Sequence, residues 1–241
     1  MRFQKLVFAL ISAIFILPTY GQTYEEINQV YPISENNGQR IITGFQEFPG
    51  LSDEQIYANA LKWSIIEYCK EKRDGLTDVQ AIKKNFSYGA SHDYVVEGKT
   101  KYSFQYKVDI KVVDGKLVYT LYDVFYRANG FLPFSSSSHI DKLNPAKKEK
   151  HKDIIHAFEA VASHKLNMLF DAIVANECAP ISHWNDINIQ RPVKGMNADE
   201  CFLALGKPGT NYEDNNNRIQ WSYGLNLILI FKGGKLESII R

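Results

Sequence analysis

The 241-residue chain carries 28 basic and 27 acidic residues, so its formal net charge is only +1. This near-neutral balance excludes partners that are recognised mainly by charge, such as nucleic acid or an anionic lipid surface. With 14 tyrosines and 14 phenylalanines, the chain can bury a core in one large or two small domains.

The N-terminus has the three zones of a secretory signal peptide. Arg2 and Lys5 precede an apolar run over residues 6–18, and Thr19-Tyr20-Gly21 ends it, so we expect cleavage between Gly21 and Gln22. The run is shorter than the roughly 20 residues that span a bilayer. No cysteine stands near the cut to carry a lipid. We therefore predict a periplasmic or secreted protein that is soluble and has no stable membrane insertion.

After an N-terminal extension over residues 22–39, a first α+β domain is predicted over residues 40–178. It opens with a strand over residues 40–48. A helix follows, with Ser52 as its N-cap and Gln55 completing a capping box.

The helix is expected to run to residue 72 and to turn Tyr57, Leu61, Ile65 and Tyr68 towards a sheet. Residues 78–84 and 93–97 are weaker strand candidates, since residues of turn character separate them.

A β-hairpin around Asp114-Gly115 is the strongest strand signal, because this dipeptide favours a two-residue type I′ turn. The turn sets the register. The core-face pairs are then Val112 with Leu117, Ile110 with Tyr119, Val108 with Leu121 and Phe104 with Phe125. The opposite face pairs Lys111 with Val118, Asp109 with Thr120, Lys107 with Tyr122, Gln105 with Val124 and Ser103 with Tyr126.

Four residues of that opposite face are unusually apolar for a solvent-facing strand: Val118, Tyr122, Val124 and Tyr126. Such a face is either covered by another part of the chain or used for binding, and intramolecular burial is the more common fate. The same register places Asp123 on the core face opposite Tyr106. There it is either bonded to a tyrosine hydroxyl or the sheet rim, or a functional carboxylate with a raised pKa.

A long connector over residues 128–150 contains four serines, Ser135 to Ser138, and is followed by a helix to about residue 177. The helix carries one apolar stripe: Ile155, Phe158, Ala162, Leu166, Leu169 and Ile173.

The tail over residues 179–241 is predicted as a small second module that docks on the first. Asn197 and Glu200 form a capping box for a short helix that Gly206 ends. Strands over residues 218–223, 225–231 and 236–240 read as an antiparallel meander.

Three cysteines, Cys69, Cys178 and Cys201, are too few for a disulfide scaffold or a metal knuckle. Cys69 and Cys201 are expected in helices as buried thiols, while a bridge between Cys178 and Cys201 remains open.

Residues 44–128 resemble a domain family of unknown function found in secreted bacterial proteins, with a TATA-binding-protein-like (TBP-like) fold. The likeness lies in Phe48-Pro49-Gly50-Leu51-Ser52, Ile56-Tyr57 through Trp63, Val108-Asp109-Ile110, Asp114-Gly115 and Tyr119-Thr120-Leu121. The resemblance implies an antiparallel sheet with two long helices.

The tail resembles the small outer-membrane-assembly lipoproteins of SmpA/OmlA (BamE) type, which share their fold with β-lactamase-inhibitory-protein repeats. The matching residues are Val193-Lys194-Gly195-Met196, Glu200, Leu203, Leu205-Gly206-Lys207-Pro208, Trp221-Ser222-Tyr223, Leu229, Phe231 and Gly233-Gly234-Lys235-Leu236. The lipid-anchor cysteine of that family is missing, so tethering to the outer membrane is not carried over.

No set of residues forms a convincing catalytic, nucleotide or metal site. Gly98-Lys99-Thr100 lacks the first glycine of a phosphate loop, and His156, Glu159 and His164 lack the spacing of a zinc site. The pairs Ser138-His139 and His183-Trp184-Asn185-Asp186 hold suitable residue types, but without a G-x-S-x-G elbow they read as loop residues.

We therefore expect a non-catalytic binding or scaffold protein of the bacterial envelope, an assembly or inhibitor-like adaptor, with no cofactor. Its partner would be another envelope protein, contacted through Val118, Tyr122, Val124, Tyr126, Trp221 and Tyr223. The alternative is a hydrolase or small-ligand domain with a site between the modules around Asp123, His139 and His183. A third hypothesis is that the tail only stabilises the first domain.

Overall fold

The computed structural model describes residues 31–36, 38–128, 137–175, 178–213 and 218–241. The predicted signal peptide, its cleavage point between Gly21 and Gln22, and Ser135 and Ser136 of the serine run lie outside these ranges. Within them, no helix combines the length and the hydrophobicity needed to cross a membrane.

The first unit is a seven-stranded antiparallel sheet with two long helices packed on one of its faces. Its strands are β1 (Ser34–Asn36), β2 (Gln39–Glu47), β3 (Leu76–Gln80), β4 (Asn85–Val96), β5 (Lys99–Val113), β6 (Lys116–Ala128) and β7 (Ser138–His139), and its helices are α1 (Asp53–Tyr68) and α2 (Glu149–Ala175). The strand order is β1-β2-β6-β5-β4-β3, and β7 pairs with the part of β6 that β2 does not reach. This is the mixed α+β class that the sequence predicts.

The start of α1 is confirmed and its end is earlier than predicted. The Ser52 side chain accepts a hydrogen bond from the Gln55 N–H, and the Gln55 side chain accepts one from the Ser52 N–H. The helix ends at Tyr68 because Cys69 adopts an extended backbone conformation. Tyr57 and Leu61 are completely buried, since α1 lies between the sheet, α2 and the tail.

The turn and the first half of the predicted hairpin register are confirmed. Asp114 and Gly115 both have positive φ, as a type I′ turn requires, and Val112, Ile110 and Val108 pair with the expected partners.

Beyond Tyr122 the register is wrong by one residue, because β6 contains a β-bulge at Asp123. Phe104 therefore pairs with Tyr126, Gln105 with Phe125 and Ser103 with Arg127. The extra residue returns Val124 to the helix side of the sheet, where it is completely buried, and turns Phe125 outward.

The strand β4 differs most from expectation, since it runs unbroken through a stretch that reads as irregular. Phe86, Tyr88 and Ala90 point into the core, while the turn-type residues Gly89 and Ser91 occupy the outward positions between them. Burial of the alternate aromatic residues overrides the weak strand propensity of their neighbours.

The tail is a second, smaller α+β unit with an antiparallel sheet of four strands in the order β11-β10-β9-β8. Its elements are α3 (Trp184–Asn188), α4 (Ala198–Leu205), β8 (Thr210–Glu213), β9 (Arg218–Tyr223), β10 (Leu227–Lys232) and β11 (Lys235–Ile240). The capping box of Asn197 and Glu200 is confirmed, as is the meander of the last three strands. The sequence does not predict α3 or β8.

The tail contacts the first unit just after α1. Lys72 and Lys207 exchange two backbone hydrogen bonds of 3.0 Å, and Arg73 Nη1 donates to the Leu203 carbonyl at 2.9 Å. Gly206 has φ +81°, and a Cβ there would lie 1.8 Å from the Lys72 carbonyl oxygen. Glycine at this position is therefore required for the two units to come together.

Candidate functional site

The outer face of the large sheet, opposite α1 and α2, is the candidate functional surface. Phe45 on β2 is 58% exposed and Phe125 on β6 is 37% exposed. Val118 and Tyr122 lie on the same face and are half-buried. In the part of the chain that the structure describes, no helix packs over this face, so the coverage favoured by the sequence is not found there.

Only part of the predicted binding set lies on this surface. Val118 and Tyr122 do, but placing Val124 and Tyr126 there is wrong, because the bulge turns both towards the helices. Tyr126 is partly buried against the core. Phe45 and Phe125 are the exposed rings that the sequence missed.

The bulge centres on Asp123, which has a φ of +54°. Asp123 and Val124 together face Tyr106 on β5, and in the G1 type of bulge the first residue takes a left-handed conformation. Aspartate tolerates that conformation better than most residues. Asp123 is thus not on the core face, and its carboxylate reaches Lys107 and His139 instead.

A chain of polar contacts extends from the bulge to β2. Asp123 Oδ2 is 2.7 Å from Lys107 Nζ, and Asp123 Oδ1 is 3.4 Å from His139 Nε2. His139 Nδ1 accepts a hydrogen bond from the Asp141 N–H, and Asp141 Oδ1 accepts one from the Arg40 N–H at 2.7 Å. Both ring nitrogens of His139 therefore face protein groups.

The hydrogen bond from Lys107 holds the pKa of Asp123 below its ordinary value, against the opposing effect of partial burial. The same bond raises the pKa of Lys107. Lys107 and Asp123 are therefore both charged at physiological pH. Their charges cancel, so together they form a polar rim of zero net charge beside the exposed rings.

Two open depressions of about 350 Å³ and about 300 Å³ flank the bulge on the outer face and share Ser91, Gln105 and Phe125 in their linings. Gly89 and Ser91 keep the floor low because their side chains are small or absent. His139 packs edge-on against Phe125, with ring centroids 4.8 Å apart. The surface can hold a protruding side chain of a partner.

Beneath the sheet, on the helix side, lies an aromatic cluster that the sequence also missed. The Tyr68 and Tyr88 rings stack with centroids 4.3 Å apart, and Tyr106 Oη lies 3.0 Å from His92 Nδ1. Burial lowers the pKa of His92 to about 4 and raises that of Tyr68. The alternating aromatic residues of β4 and β5 are the signal that could have indicated this cluster.

The three residues of the rival site fall into two places. Asp123 and His139 meet at the bulge, whereas His183 pairs with Glu200 at an Nδ1 to Oε1 distance of 2.9 Å. His183 precedes α3, which packs on the turn after β3 at the far side of the sheet order. The structure therefore does not assemble the predicted trio.

Glu200 is a structural clamp of the tail. Its side chain is fully buried, and it accepts hydrogen bonds from the backbone N–H groups of Ser182, His183 and Asn197. Burial alone would raise the pKa of Glu200, but these backbone bonds, with those from the His183 and Ser182 side chains, lower it to about 2.

The two tail residues of the predicted binding set are mainly internal. Tyr223 is 3% exposed and its hydroxyl donates to the Gly206 carbonyl at 3.0 Å, so assigning it to a binding surface is wrong. Trp221 is partly buried against Phe231, with ring centroids 4.8 Å apart.

The other motifs considered in the sequence lie in turns, ion pairs or as free thiols. Gly98-Lys99-Thr100 lies at the turn between β4 and β5, and His156 pairs with Glu159, which also accepts the Ile33 N–H. Cys69, Cys178 and Cys201 are free thiols, so Cys178 and Cys201 are not bridged. Within the described ranges, no three His, Cys, Asp or Glu side chains are grouped so that they could hold a metal ion.

Residues 45–127 match the model of a family described as a domain of unknown function (DUF4468) with a TBP-like fold. A TBP-like protein from Parabacteroides distasonis ATCC 8503 has a similar structure, with a TM-score of 0.51 and 15% identity over 60% of this chain and 98% of that one. A DUF4468 family protein from Bacteroides ovatus ATCC 8483 has a TM-score of 0.46 and 13% identity over 61% and 94% of the two chains. No curated protein matches the chain. Residues 45–127, which extend from β2 through the bulged strand β6, therefore carry a DUF4468 domain with a TBP-like fold.

Proposed function

We propose that the protein is an exported, non-catalytic binding protein of the bacterial cell envelope that contacts another protein through the outer face of its large sheet. The observation that carries this proposal is the exposure of Phe45 and Phe125 beside Val118 and Tyr122, on a face that the described helices leave open. Exposed apolar side chains with a polar rim are typical of protein contact sites.

Two cations beside these rings are paired with acids of the same chain, which favours a protein as the partner. Lys107 is paired with Asp123, and Lys116 is paired with Glu47 at 2.7 Å while its Nζ lies 4.6 Å from the centroid of the Phe45 ring. Cations that are neutralised within the chain attract a polyanion or an anionic membrane only weakly. Aromatic rings set among paired charges instead suit a protein surface that supplies its own apolar side chains.

Export is supported by the signal-peptide pattern of residues 1–21, with cleavage between Gly21 and Gln22. The proposed location is the periplasm or the medium. Cleavage is tested by N-terminal sequencing of protein recovered from a periplasmic fraction. A chain that retains Arg2 and Lys5 would contradict this part of the proposal.

The tail is proposed to be a BamE-like module, on the basis of its residue pattern and of a helix followed by an antiparallel meander. Its role would be that of an envelope-assembly or inhibitor-like adaptor. Since Tyr223 is internal, a contact made by the tail would use its exposed residues, among which Tyr212 is 64% exposed.

The rival hydrolase hypothesis receives less support. It needs Asp123, His139 and His183 in one site, and the described structure divides them between the bulge and the Glu200 clamp. In addition, both nitrogens of His139 lie next to protein groups rather than facing an open site.

The central test is affinity capture from an envelope extract with the mature chain, followed by measurement of the dissociation constant with the purified partner. The variant Phe45→Ser with Phe125→Ser should weaken binding by at least about tenfold, as expected when apolar hot-spot side chains are removed. Val174→Ser is the matched control, because Val174 is 70% exposed but lies on α2, on the other side of the sheet. Equal binding by both variants would overturn the proposal.

A further inference from the structure

A basic surface lies at the start of α2, in residues 142–152. Five of the 28 basic residues of the chain fall in this stretch, together with only one of its 27 acidic residues, Glu149. The five are all exposed: Lys142, Lys147, Lys148, Lys150 and Lys152. The even charge balance of the whole chain hides this local excess, so that balance does not exclude a partner recognised by charge at this one place.

These lysines are hardly neutralised by the acids around them. Lys152 Nζ lies 4.0 Å from Glu149, at the limit of an ion pair, and the other four have no acidic partner within that distance among the described residues. Asp153, the next acid along α2, is held by Lys101 at 2.9 Å. The cations beside the exposed rings of the outer face are instead paired at 2.7 Å. The positive charge at the start of α2 therefore faces the solvent.

Hydrogen bonds hold the stretch in a defined shape. The Asn144 carbonyl accepts the N–H groups of Lys147 and Lys148 at 3.1 and 3.2 Å, and the Asn144 N–H donates to His151 Nδ1 at 2.8 Å. Leu143 is 5% exposed and anchors the turn to the core. The lysines are thus presented from an ordered turn and the first turn of a helix, so little backbone entropy is lost when this surface meets a partner.

The position of the lysines opposes the stability of α2. The N-terminus of a helix carries a partial positive charge, so acids are favourable in the first turn and cations are unfavourable. Lys148, Lys150 and Lys152 nevertheless lie in or beside the first turn of α2, which begins at Glu149. Proteins break such local preferences mainly at functional sites. An anion from outside the chain would relieve the repulsion.

The composition of the surface selects the kind of anion. All five cations are lysines, whose compact charges on flexible stems suit a diffuse array of anions better than the bidentate recognition of a single group, for which arginine is preferred. Residues 142–152 contain no aromatic side chain on which a nucleic-acid base could stack. Leu143, the one large apolar residue of the stretch, is buried, so this surface can adsorb to headgroups without inserting between them.

We infer that residues 142–152 form a docking surface for the headgroups of a bilayer that contains anionic phospholipid. Each lysine near such a bilayer adds to the attraction, and clusters of about four to eight basic residues are typical of this kind of peripheral binding. The surface shares no residue with the protein contact proposed for the outer face. Either proposal can therefore fail without the other.

The test is flotation of the purified mature chain with two kinds of vesicle, one of phosphatidylcholine alone and one of phosphatidylcholine mixed with phosphatidylglycerol. At low salt, binding to the anionic vesicles should be at least about tenfold tighter. Sodium chloride at about 0.5 M should remove the difference, because it screens exposed charges. Equal binding to both kinds of vesicle, no binding to either, or tighter binding to a DNA duplex than to the anionic vesicles would overturn the inference.

Variants locate the surface and separate its charge from its shape. Lys147→Gln with Lys148→Gln should weaken binding to the anionic vesicles by about tenfold or more, since two of the five cations are lost. Lys147→Arg with Lys148→Arg keeps the charge and should bind like the unmodified chain. Lys83→Gln with Lys232→Gln is the matched control, because both lysines are exposed and lie outside the stretch. Circular dichroism checks that each variant is folded. A loss in the control or in the arginine variant as large as in the first would contradict the proposed surface.

Discussion

The two faces of the large sheet are built from alternate residues of the same strands, but one face is buried under the helices and the other is exposed. On the helix side, Phe104 is completely buried and His92 is held against Tyr106, with its pKa lowered to about 4 by burial. On the outer face, His139 lies between Asp123 and Asp141 beside an exposed ring. The helix side therefore provides stability, and the outer face is available for contact at little cost to folding.

The sharpest test of this contrast compares two phenylalanines on opposite faces. Phe104→Ala should lower the free energy of unfolding by about 4 kcal/mol, because it leaves a cavity beside Phe158, whose ring centroid is 5.4 Å away. Phe45→Ala should change it by less than about 1 kcal/mol. Urea unfolding followed by circular dichroism measures both. Similar losses of stability in the two variants would mean that the outer face is covered, and would contradict the contrast between the two faces.

The second test uses pH. The His92 of the unfolded chain takes up a proton near pH 6.5, whereas the folded chain does so only near pH 4. The unfolded state thus binds more protons between these values, and stability should fall by about 2–3 kcal/mol as the pH drops from 6.5 to 4. His92→Gln should flatten that part of the curve. A slope that is identical in the variant would assign the effect to other groups.

The smallest expected effects are at the bulge. Asp123→Gly loses the contact with Lys107 but relieves the positive φ, so stability should change by less than about 0.5 kcal/mol. Asp123→Val should cost about 2 kcal/mol, since a β-branched residue is strained in that conformation. Thermal unfolding distinguishes the two. Equal losses in both variants would mean that the ion pair, and not the backbone, controls this position.

Features that depend on neighbouring residues were predictable. The capping boxes at Ser52 and Asn197 and the turn at Asp114-Gly115 each follow from a few residues whose side chains satisfy nearby backbone groups. The hairpin register followed from the turn as far as Tyr122. The bulge was not predictable, because the left-handed conformation of Asp123 does not change the alternation of apolar and polar residues that precedes it in β6.

Features that depend on distant packing were missed for a related reason. The strand β4 holds Gly89 and Ser91 only because Tyr88 and Ala90 are buried by other elements, and Tyr223 is internal because the tail brings Gly206 to its hydroxyl. A residue's exposure is a property of the assembled fold.

By itself, the sequence determined the α+β class, the resemblance of residues 44–128 to a TBP-like domain and the local starts and turns, because each of these depends on short-range periodicity and capping. Only the tertiary structure decided which face of the large sheet stays open, which side chains the bulge turns outward and that Arg73 is buried with no anionic partner among the described residues. These follow from how helices and tail pack on the sheet, and that packing joins residues far apart in the chain.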